Sequence, residues 1–233
     1  MNFYTGTSGY GYKPWKGKFY PKDLPDNKML SYYSGNFPAV EINNTFYSMP
    51  KKSILESWIK EVSKDFKFIL KAPGEITHKK RLKNCEEELK YFLETSASLK
   101  KNLSGFLFQL PPNFKKNIET LENFINLIPK KTKVTFEFRN DSWFDDETYD
   151  CLRKRDFALC TADTDEKPAG IINTASWGYL RLRKESYDNK ELKEWYKKIK
   201  SCDWKDVYIF FKHEDKANGP RFAKQFIEIA GDT

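Results

Sequence analysis

The chain has 233 residues, 39% hydrophobic and 16% aromatic, so it holds enough apolar bulk for one sizeable core. No apolar run approaches the roughly 20 residues that a transmembrane helix needs. The N-terminus shows no basic flank followed by an apolar stretch. The four cysteines are scattered without metal-ligand spacing, which is typical of reduced thiols. We therefore expect a cytoplasmic protein with no membrane partner.

The formal net charge of +8 favours a polyanionic partner such as nucleic acid. However, lysine greatly outnumbers arginine, and asparagine and isoleucine are abundant as well. A general compositional bias therefore explains the charge at least as well as a binding surface does.

Short strand-like runs alternate with helical patterns along the whole chain. The run from Ile118 to Ile128, for example, keeps its apolar side chains on one helical face. The segment TDEKPAGIINTAS has no clear helix and is predicted to form a short irregular connection between strands six and seven. No linker divides the chain, so we expect one domain over residues 1–233. The eight predicted strands are centred near Phe3, Val40, Ile69, Leu107, Phe136, Cys160, Leu180 and Phe210.

Eight strands alternating with seven helical patterns indicate parallel pairing through right-handed crossovers. Two architectures fit this alternation: a closed (β/α)8 TIM barrel and a doubly wound open sheet. In an open sheet, helices cover both faces, and the strands should be apolar on both sides. Here Val134, Phe136 and Phe138 alternate with Thr135, Glu137 and Arg139. This pattern favours an α/β fold consisting of a single TIM barrel, whose interior side chains fill its centre.

Polar side chains recur at the carboxyl end of almost every predicted strand, and we expect them to face inward. Barrel enzymes build their active sites at this end of the strands. The sequence therefore predicts a polar pocket at the barrel mouth. Its predicted inward residues are Glu41, Asn43, Lys71, Gln109, Glu137, Arg139, Thr161, Asp163, Arg181, Arg183 and Lys212.

Six stretches of the chain, in order, resemble the YecE-like family, known as domain of unknown function 72. The resemblance covers essentially the whole chain and implies a (β/α)8 barrel, but it supplies no established activity. Two strand ends depart from the family pattern, because Arg183-Lys184 stands where His-Gly is frequent and KHED, Lys212 to Asp215, replaces Asn-Asn-Asp. The matching stretches are GTSGYGYKPWKGKFYP, VEINNTFYSMP, KAPGEITHKKRL, FQLPPNF, FEFRNDSWF and CTAD.

The three predicted inward carboxylates, Glu41, Glu137 and Asp163, are candidate catalytic groups. Two carboxylates across a pocket can act as general acid and base on a glycosidic bond, and Trp143 could stack on a sugar ring. The alternative is an internal ion-pair layer that joins Glu137 to Arg139 or Arg181, and Asp163 to Lys212 or Arg183.

Lys71 is a further catalytic candidate, because a desolvated lysine at a strand end can form a Schiff base with a carbonyl substrate. Simple charge pairing or anion binding is the commoner role of such a lysine. The whole chain has two histidines, His78 and His213, so we expect no metal site of the kind that needs several imidazoles. The glycines of GTSGYG lack the spacing of a dinucleotide fingerprint, and we expect no cofactor.

The predicted pocket carries more cations than anions, with Lys71, Arg139, Arg181, Arg183 and Lys212 against three carboxylates. We therefore expect a small anionic, phosphate-bearing ligand, handled by a metal-independent hydrolase or lyase if the protein is catalytic. The alternative is a nucleic-acid-binding barrel that uses basic and aromatic loops after strands one and three; against it, those aromatics could simply pack over the mouth. The predicted ligand-binding residues are Tyr10, Asn43, His78, Gln109, Arg139, Trp143, Arg181 and Lys212.

Overall fold

The structure, a computed structural model, describes residues 1–48, 50–166, 169–212 and 217–231. His213, and the KHED segment apart from Lys212, lie outside the described residues. The strands within them are β1 Asn2–Ser8, β2 Ala39–Ile42, β3 Lys67–Lys71, β4 Leu103–Gln109, β5 Val134–Glu137, β6 Ala158–Leu159, β7 Thr161–Asp163, β8 Gly178–Leu182 and β9 Asp206–Phe211. The helices are α1 Met29–Ser34, α2 Lys52–Glu61, α3 Glu86–Ser96, α4 Ile118–Leu127, α5 Asp146–Arg153, α6 Asn189–Lys200 and α7 Asn218–Gly231.

All nine strands belong to one parallel sheet, in the order β6-β5-β4-β3-β2-β1-β9-β8-β7. The first strand pairs with both β2 and β9, which joins the early and late halves of the chain. Helices connect most of the successive strands, and the predicted α/β barrel is confirmed. As predicted, the described residues between β7 and β8 contain no helix.

The sixth predicted strand is interrupted at Cys160, which is why nine strands appear where eight were predicted. Its first half, β6, pairs with β5, and its second half, β7, pairs with β8. The Cys160 amide donates to the Phe136 carbonyl across 2.8 Å and ends the pairing with β5. The barrel is therefore nearly closed, and at this seam the chain itself, rather than a hydrogen-bonded ladder, connects the two edges.

Two apolar clusters lie on opposite faces of the sheet. The larger one packs the outer strand faces, including Val134, Phe136 and Phe138, against the helices. The smaller one fills the barrel interior, where Ile69, Leu107 and other side chains meet. Since alternate residues of a strand face opposite sides, the polar partners of the outer set point into the barrel. Alternation thus fixes which strand-end side chains can reach the mouth.

Local sequence signals explain where the helices begin. Asp188 and Glu191 form a capping box at the start of α6, and the Asn117 side chain accepts from the Thr120 amide at the start of α4. These caps satisfy amide groups that have no partner inside the helix. No helix among the described residues is long and apolar enough to cross a membrane.

The loop after β3 has an unusual backbone. Residues Glu75–Lys79 form a short π-helix, and Arg81 and Leu82 follow with φ values of 49° and 66°. Non-glycine residues in this left-handed region cost free energy and often occur at functional sites, as π-helical turns do. This strained loop carries His78 and Arg81 towards the barrel mouth.

Candidate functional site at the carboxyl ends of the strands

A buried ion-pair triad lies across the barrel just below its mouth. Arg181 of β8 donates through Nη2 to Glu41 Oε1 of β2 at 2.9 Å and through Nη1 to Glu137 Oε2 of β5 at 2.5 Å. Each of the three residues is at most 2% exposed. One guanidinium therefore links three strands that are far apart in sequence, and the prediction that Glu137 faces inward agrees with this geometry.

Both carboxylates of the triad are held ionised. Burial alone would raise the pKa of Glu41, but the Arg181 guanidinium and the Tyr179 hydroxyl hold it below its ordinary value. Burial alone would also raise the pKa of Glu137, but the guanidiniums of Arg181, Arg183 and Arg139 hold this pKa well below its usual range. A carboxylate that stays ionised cannot donate a proton as a general acid. The triad fits the ion-pair-layer interpretation better than a pair of catalytic carboxylates.

Further hydrogen bonds saturate Glu41. The Tyr179 hydroxyl donates to its Oε2 at 2.6 Å, and Asn43 Nδ2 donates to its Oε1 at 3.1 Å. Its carboxylate is thus surrounded by donors and faces no open solvent. Asn43 orients Glu41 in this arrangement, and its role in ligand binding stays a prediction.

Two more arginines crowd the mouth side of Glu137. Arg139 Nε lies 3.3 Å from Glu137 Oε1, and Arg183 Nη2 lies 3.5 Å from the same oxygen. Arg139 is about a third exposed, and the buried Nε of Arg183 has no hydrogen-bond partner. Three guanidiniums, those of Arg139, Arg181 and Arg183, therefore converge on the single carboxylate of Glu137.

Lys71, at the end of β3, lies beside Gln109 of β4. Lys71 Nζ donates to Gln109 Oε1 at 2.9 Å and sits 4.2 Å from the centroid of the Phe46 ring. Burial, reinforced by the positive charges of Arg181 and Arg139, lowers the pKa of Lys71 to about 8. No carboxylate of a described residue forms a salt bridge with Lys71. It is the one lysine of the described chain whose pKa is substantially depressed.

His78 lies on the same side of the mouth. Its ring packs edge-on against Phe46, with centroids 4.8 Å apart, and its Nδ1 lies 2.9 Å from the Thr77 hydroxyl. Partial burial, followed by the nearby charges of Lys71, Arg139 and Arg81, lowers its pKa. His78 is therefore neutral at physiological pH. One nitrogen of its neutral ring can accept a proton, and the other can donate one.

A cavity of ≈ 1060 Å³ opens at this end of the barrel, lined on its floor by Glu137, Arg139, Cys160, Arg183 and Lys212. Three more carboxylates line the cavity, Asp141 after β5 and Asp165 and Glu166 after β7. The cations of the lining, Arg139, Arg183 and Lys212, follow β5, β8 and β9, so an anion would be held on that side of the cavity.

Asp163 does not join these residues, and its predicted inward orientation is wrong. It stands in register with Leu182, a residue of the outer core. Its carboxylate accepts from the Tyr187 hydroxyl at 3.0 Å and from the Ala169 amide at 3.2 Å. The residue of β7 that faces the barrel interior is Ala162, in register with Arg181. Asp163 therefore secures the loop after β7 and the Tyr187 segment, and Thr161 shares its outward face.

Two predicted aromatic ligand contacts also lie away from the pocket floor. Trp143 is 0% exposed, stacks on Phe138 at 4.7 Å and donates through Nε1 to the Phe114 carbonyl at 2.7 Å. Both its ring face and its polar atom are occupied, so it has no surface for a sugar. Tyr10 packs near Tyr33 of α1, and burial raises its pKa to about 12. Both residues stabilise loops around the mouth.

The basic and aromatic loops are largely satisfied within the fold. Trp15, Phe19 and Tyr20 are buried and pack against one another. Lys16 pairs with Asp26 at 2.6 Å, and Lys80 pairs with Glu88 at 2.6 Å. The packing interpretation of the aromatics is favoured, and several lysines that could have contacted phosphates already face carboxylates.

Sequence reasoning missed two aromatic residues at the mouth. Phe46 forms the surface on which Lys71 and His78 rest, and Tyr179 holds Glu41. Neighbouring Tyr47 is 84% exposed, an unusual state for a large aromatic side chain. The signal for these residues is position, since each lies in or directly after a predicted strand.

Among the described residues, no group of three or more His, Cys, Asp or Glu side chains lies together as a metal site would need. A second cavity, of ≈ 700 Å³, lies at the opposite end of the barrel. There Lys133 is paired with Asp206 at 2.7 Å and rests on Trp177 and Tyr208. Lys133 and Asp206 thus neutralise each other, and the amino ends of barrel strands usually serve stability rather than catalysis.

Fold and site together define an α/β barrel with a charged pocket at the carboxyl ends of its strands. A family model described as "Protein of unknown function DUF72" matches residues 4–233. The chain belongs to this family, as its sequence motifs predicted.

Similar proteins agree with that assignment. The UPF0759 protein YunF of Bacillus subtilis is 27% identical over 97% of this chain and 94% of its own length. The UPF0759 protein YecE of Escherichia coli K12 is 28% identical, over 49% of this chain and 43% of its own. That match therefore spans less than half of the relative.

Solved structures show the same fold. The crystal structure of a DUF72 family protein from Thermotoga maritima superposes with a TM-score of 0.83 at 26% identity, covering 99% of this chain and all of that one. A DUF72 family protein from Enterococcus faecalis gives a TM-score of 0.81 at 19% identity, over 98% and 95% of the two chains. A methyltransferase from Methanosarcina mazei, at 8% identity and a TM-score of 0.56, shares the fold alone.

Proposed function

We propose that the barrel mouth binds a small anionic ligand of the carboxylate or phosphate class, and that any chemistry on it is metal-independent. One observation carries the proposal. Among the described inward residues of the mouth, two carboxylates, Glu41 and Glu137, face four cationic groups: Arg139, Arg181, Arg183 and Lys71.

The surplus positive charge is local and partly buried. Arg181 is balanced by two carboxylates, whereas Glu137 alone receives Arg139 and Arg183 as well. Cations that are removed from water without full compensation cost free energy unless an anion joins them. A ligand carboxylate or phosphate between Arg139 and Arg183 would supply the missing charge and form paired hydrogen bonds with the guanidiniums.

The catalytic class that the geometry supports best is a lyase rather than a glycosidase. Glu41 and Glu137 are both ionised and enclosed by donors, so neither can act as the acid of a two-carboxylate mechanism. Lys71 and His78, in contrast, have lowered pKa values and both contact the Phe46 ring. Groups that titrate near neutral pH in a pocket are candidates for proton transfer or nucleophilic attack.

Binding of inorganic phosphate and of small carboxylates, measured by calorimetry at low salt, tests the proposal. Arg139→Ala removes a guanidinium from the pocket but leaves Glu137 paired with Arg181, so the fold should persist while anion binding falls at least tenfold. Lys90→Ala, at an exposed position of α3, removes one positive charge elsewhere and should not change binding. Equal affinities for the wild type and Arg139→Ala would refute the proposal.

A further inference from the structure

Lys71 has the surroundings of a nucleophilic amine rather than those of a structural cation. It lies at the carboxyl end of a barrel strand, with its Nζ against the Phe46 ring at 4.2 Å and bonded to a neutral amide at 2.9 Å. The nearby carboxylates of Glu41 and Glu137 are both bound by Arg181. The positive charge of Lys71 is thus stabilised weakly, and loss of its proton is comparatively easy.

Gln109 supplies a second, independent observation. Its side chain is buried, and its Oε1 accepts from Lys71, which leaves Nε2 directed away from that bond. Nε2 is buried and has no hydrogen-bond partner. Buried donors in folded proteins normally have an acceptor, so the structure indicates that an oxygen atom belongs beside Nε2, next to the Lys71 amine.

An anion-binding group lies on the same side. Arg139 is close enough to contribute to the electrostatic environment of both Lys71 and His78, and its guanidinium faces the mouth. A ligand held there would place a carboxylate on Arg139 and Arg183, and the next carbon along the molecule near Lys71. Gln109 Nε2 would then meet an oxygen on that carbon.

We propose that Lys71 forms a Schiff base with a 2-oxo acid, whose carboxylate is bound by Arg139 and Arg183 and whose carbonyl oxygen accepts from Gln109 Nε2. This inference rests on the proposed function, since it names the class of anion that the same pocket takes. A 2-oxo acid fits because its carbonyl carbon is bonded directly to its carboxylate. An inorganic anion offers no electrophile to the amine.

The reaction needs no oxidant or reductant. Neutral Lys71 Nζ attacks the carbonyl carbon, the C=O π bond breaks, and the proton lost from nitrogen goes to the carbonyl oxygen to give a carbinolamine. The C–O bond then breaks, the leaving hydroxide takes up one proton, and water and a protonated imine remain. Neutral His78, whose ring packs edge-on against the same Phe46 ring, is placed to relay the proton lost from nitrogen and to pass a proton from solvent to the leaving hydroxide.

Reductive trapping tests this inference. The purified protein is incubated with pyruvate or 2-oxobutyrate and sodium borohydride, and the adduct is located by peptide mass spectrometry. We expect about one adduct per chain, on Lys71, and at least a tenfold lower yield in Lys71→Arg, which keeps the charge but cannot form the imine. Lactate, which has a hydroxyl in place of the keto group, should give no adduct and should compete with pyruvate for the site.

The outcomes separate this inference from the proposed function. Labelling spread over surface lysines, or equal in the wild type and Lys71→Arg, overturns the Schiff base. If phosphate and lactate still bind and lose affinity in Arg139→Ala, the anion site stands without it. Gln109→Leu should lower the trapping yield, and an unchanged yield would contradict the role assigned to Nε2.

Discussion

At the scale of single residues, Lys71 differs from the other lysines of this lysine-rich chain. Many lysines lie in solvent or pair with carboxylates, as Lys80 does with Glu88. Lys71 instead contacts an amide and an aromatic ring and faces two arginines. Residue type alone therefore says little about lysine in this protein, and surroundings decide its chemistry.

The first prediction concerns the reactivity of Lys71 with an amine-directed reagent such as acetic anhydride at trace concentration. Its labelling rate should rise with pH around a midpoint near 8, because burial and the neighbouring charges lower its pKa to about 8. Ordinary lysines, with pKa values of about 10.4, should continue to gain reactivity well above that pH. Peptide mass spectrometry resolves the two profiles, and a Lys71 midpoint above pH 10 would contradict the prediction.

The same shift affects stability. A lysine whose pKa is lower in the folded state binds fewer protons there than when unfolded. Between about pH 8 and pH 10.5, wild-type stability should therefore gain from Lys71 with rising pH. Lys71→Met lacks this contribution. The unfolding free energy of the wild type, measured in urea, should therefore rise relative to that of Lys71→Met between pH 8 and pH 10. The same free-energy difference at both pH values would show that Lys71 has the same pKa in the folded and unfolded states.

The third residue-scale prediction concerns Glu137. Glu137→Gln leaves three guanidiniums facing a neutral amide, and losing one partner of a buried pair typically costs about 3–5 kcal/mol. The matched control is Glu122→Gln, at a half-exposed carboxylate on α4, which should cost less than about 1 kcal/mol. Urea unfolding at neutral pH measures both. A loss from Glu137→Gln no larger than that of the control would contradict the prediction.

Acid should reduce the difference between Glu137→Gln and the wild type. Because Glu137 has a lower pKa in the folded state, its contribution is present above the unfolded pKa of about 4.3 and is lost as pH falls below it. The unfolding free energies of the two proteins should therefore converge towards pH 2. A difference that stayed constant across this range would mean that shape, rather than charge, makes Glu137 important.

At the scale of secondary-structure elements, the joint between β1 and β2 depends on a glycine. A Cβ on Gly6 would lie 2.0 Å from the Ala39 carbonyl oxygen and 2.8 Å from the Tyr33 hydroxyl. That hydroxyl donates to the Ala39 carbonyl and accepts from the Thr7 amide. Any larger residue at position 6 would separate the two strands and disturb this buried hydrogen-bond network, close to the position of Glu41.

Gly6→Ala should therefore destabilise the protein by about 3 kcal/mol or more, at the upper end of what overpacking costs. Gly35→Ala is the matched control, because its new Cβ would meet only ordinary contacts, the nearest at 3.5 Å. Thermal unfolding should show a lower Tm for Gly6→Ala and little change for Gly35→Ala. Similar Tm values for the two variants would contradict this account of the joint.

Most of the fold could be predicted at this scale, because apolar alternation in strands and apolar faces in helices follow directly from backbone geometry. The phase of β5 was clear, since Phe136 and Phe138 mark its outer face. The sixth strand was harder. Phe157 and Leu159 indicate its outward face, which Asp163 shares because alternate residues of a strand face the same side. The charge of Asp163, by analogy with the neighbouring strand ends, nevertheless predicted an inward side chain. The interruption at Cys160 arises from pairing with two different strands, which no local pattern encodes.

The candidate site was predictable only where strand geometry places the side chains. Glu41, Lys71, Gln109, Glu137, Arg139 and Arg181 lie where alternation predicted. Trp143 does not lie in the pocket as predicted, because the short turn after β5 folds its ring back onto Phe138. The pairing of one arginine with two carboxylates depends on distances across the barrel, and the depressed pKa of Lys71 depends on burial. Sequence spacing contains neither quantity.

At the scale of the whole molecule, the basic residues behind the net charge of +8 are distributed along the whole sequence. Basic residues of the mouth loops pair with carboxylates, as in Lys79–Glu75 at 2.8 Å, and α6 carries several more lysines on its surface. A nucleic-acid interface needs a continuous basic stripe whose cations can replace the counterions of the phosphates. Several cations of the mouth loops are already paired within the fold, which argues against such a stripe there.

The last prediction follows from that distribution. Any binding to DNA or RNA should be weak and should weaken further as salt rises, since its origin would be counterion release alone. Replacing Lys79, Lys80 and Arg81 together by glutamine should reduce affinity no more than replacing Lys197, Lys198 and Lys200 on α6, because both sets lower the net charge equally. Fluorescence anisotropy with a short duplex and a single strand, at several salt concentrations, compares the two triple variants. A much greater loss from the mouth-loop set, together with sub-micromolar affinity that survives Arg139→Ala, would instead show that the basic loops are a nucleic-acid interface and that the pocket is not the principal site.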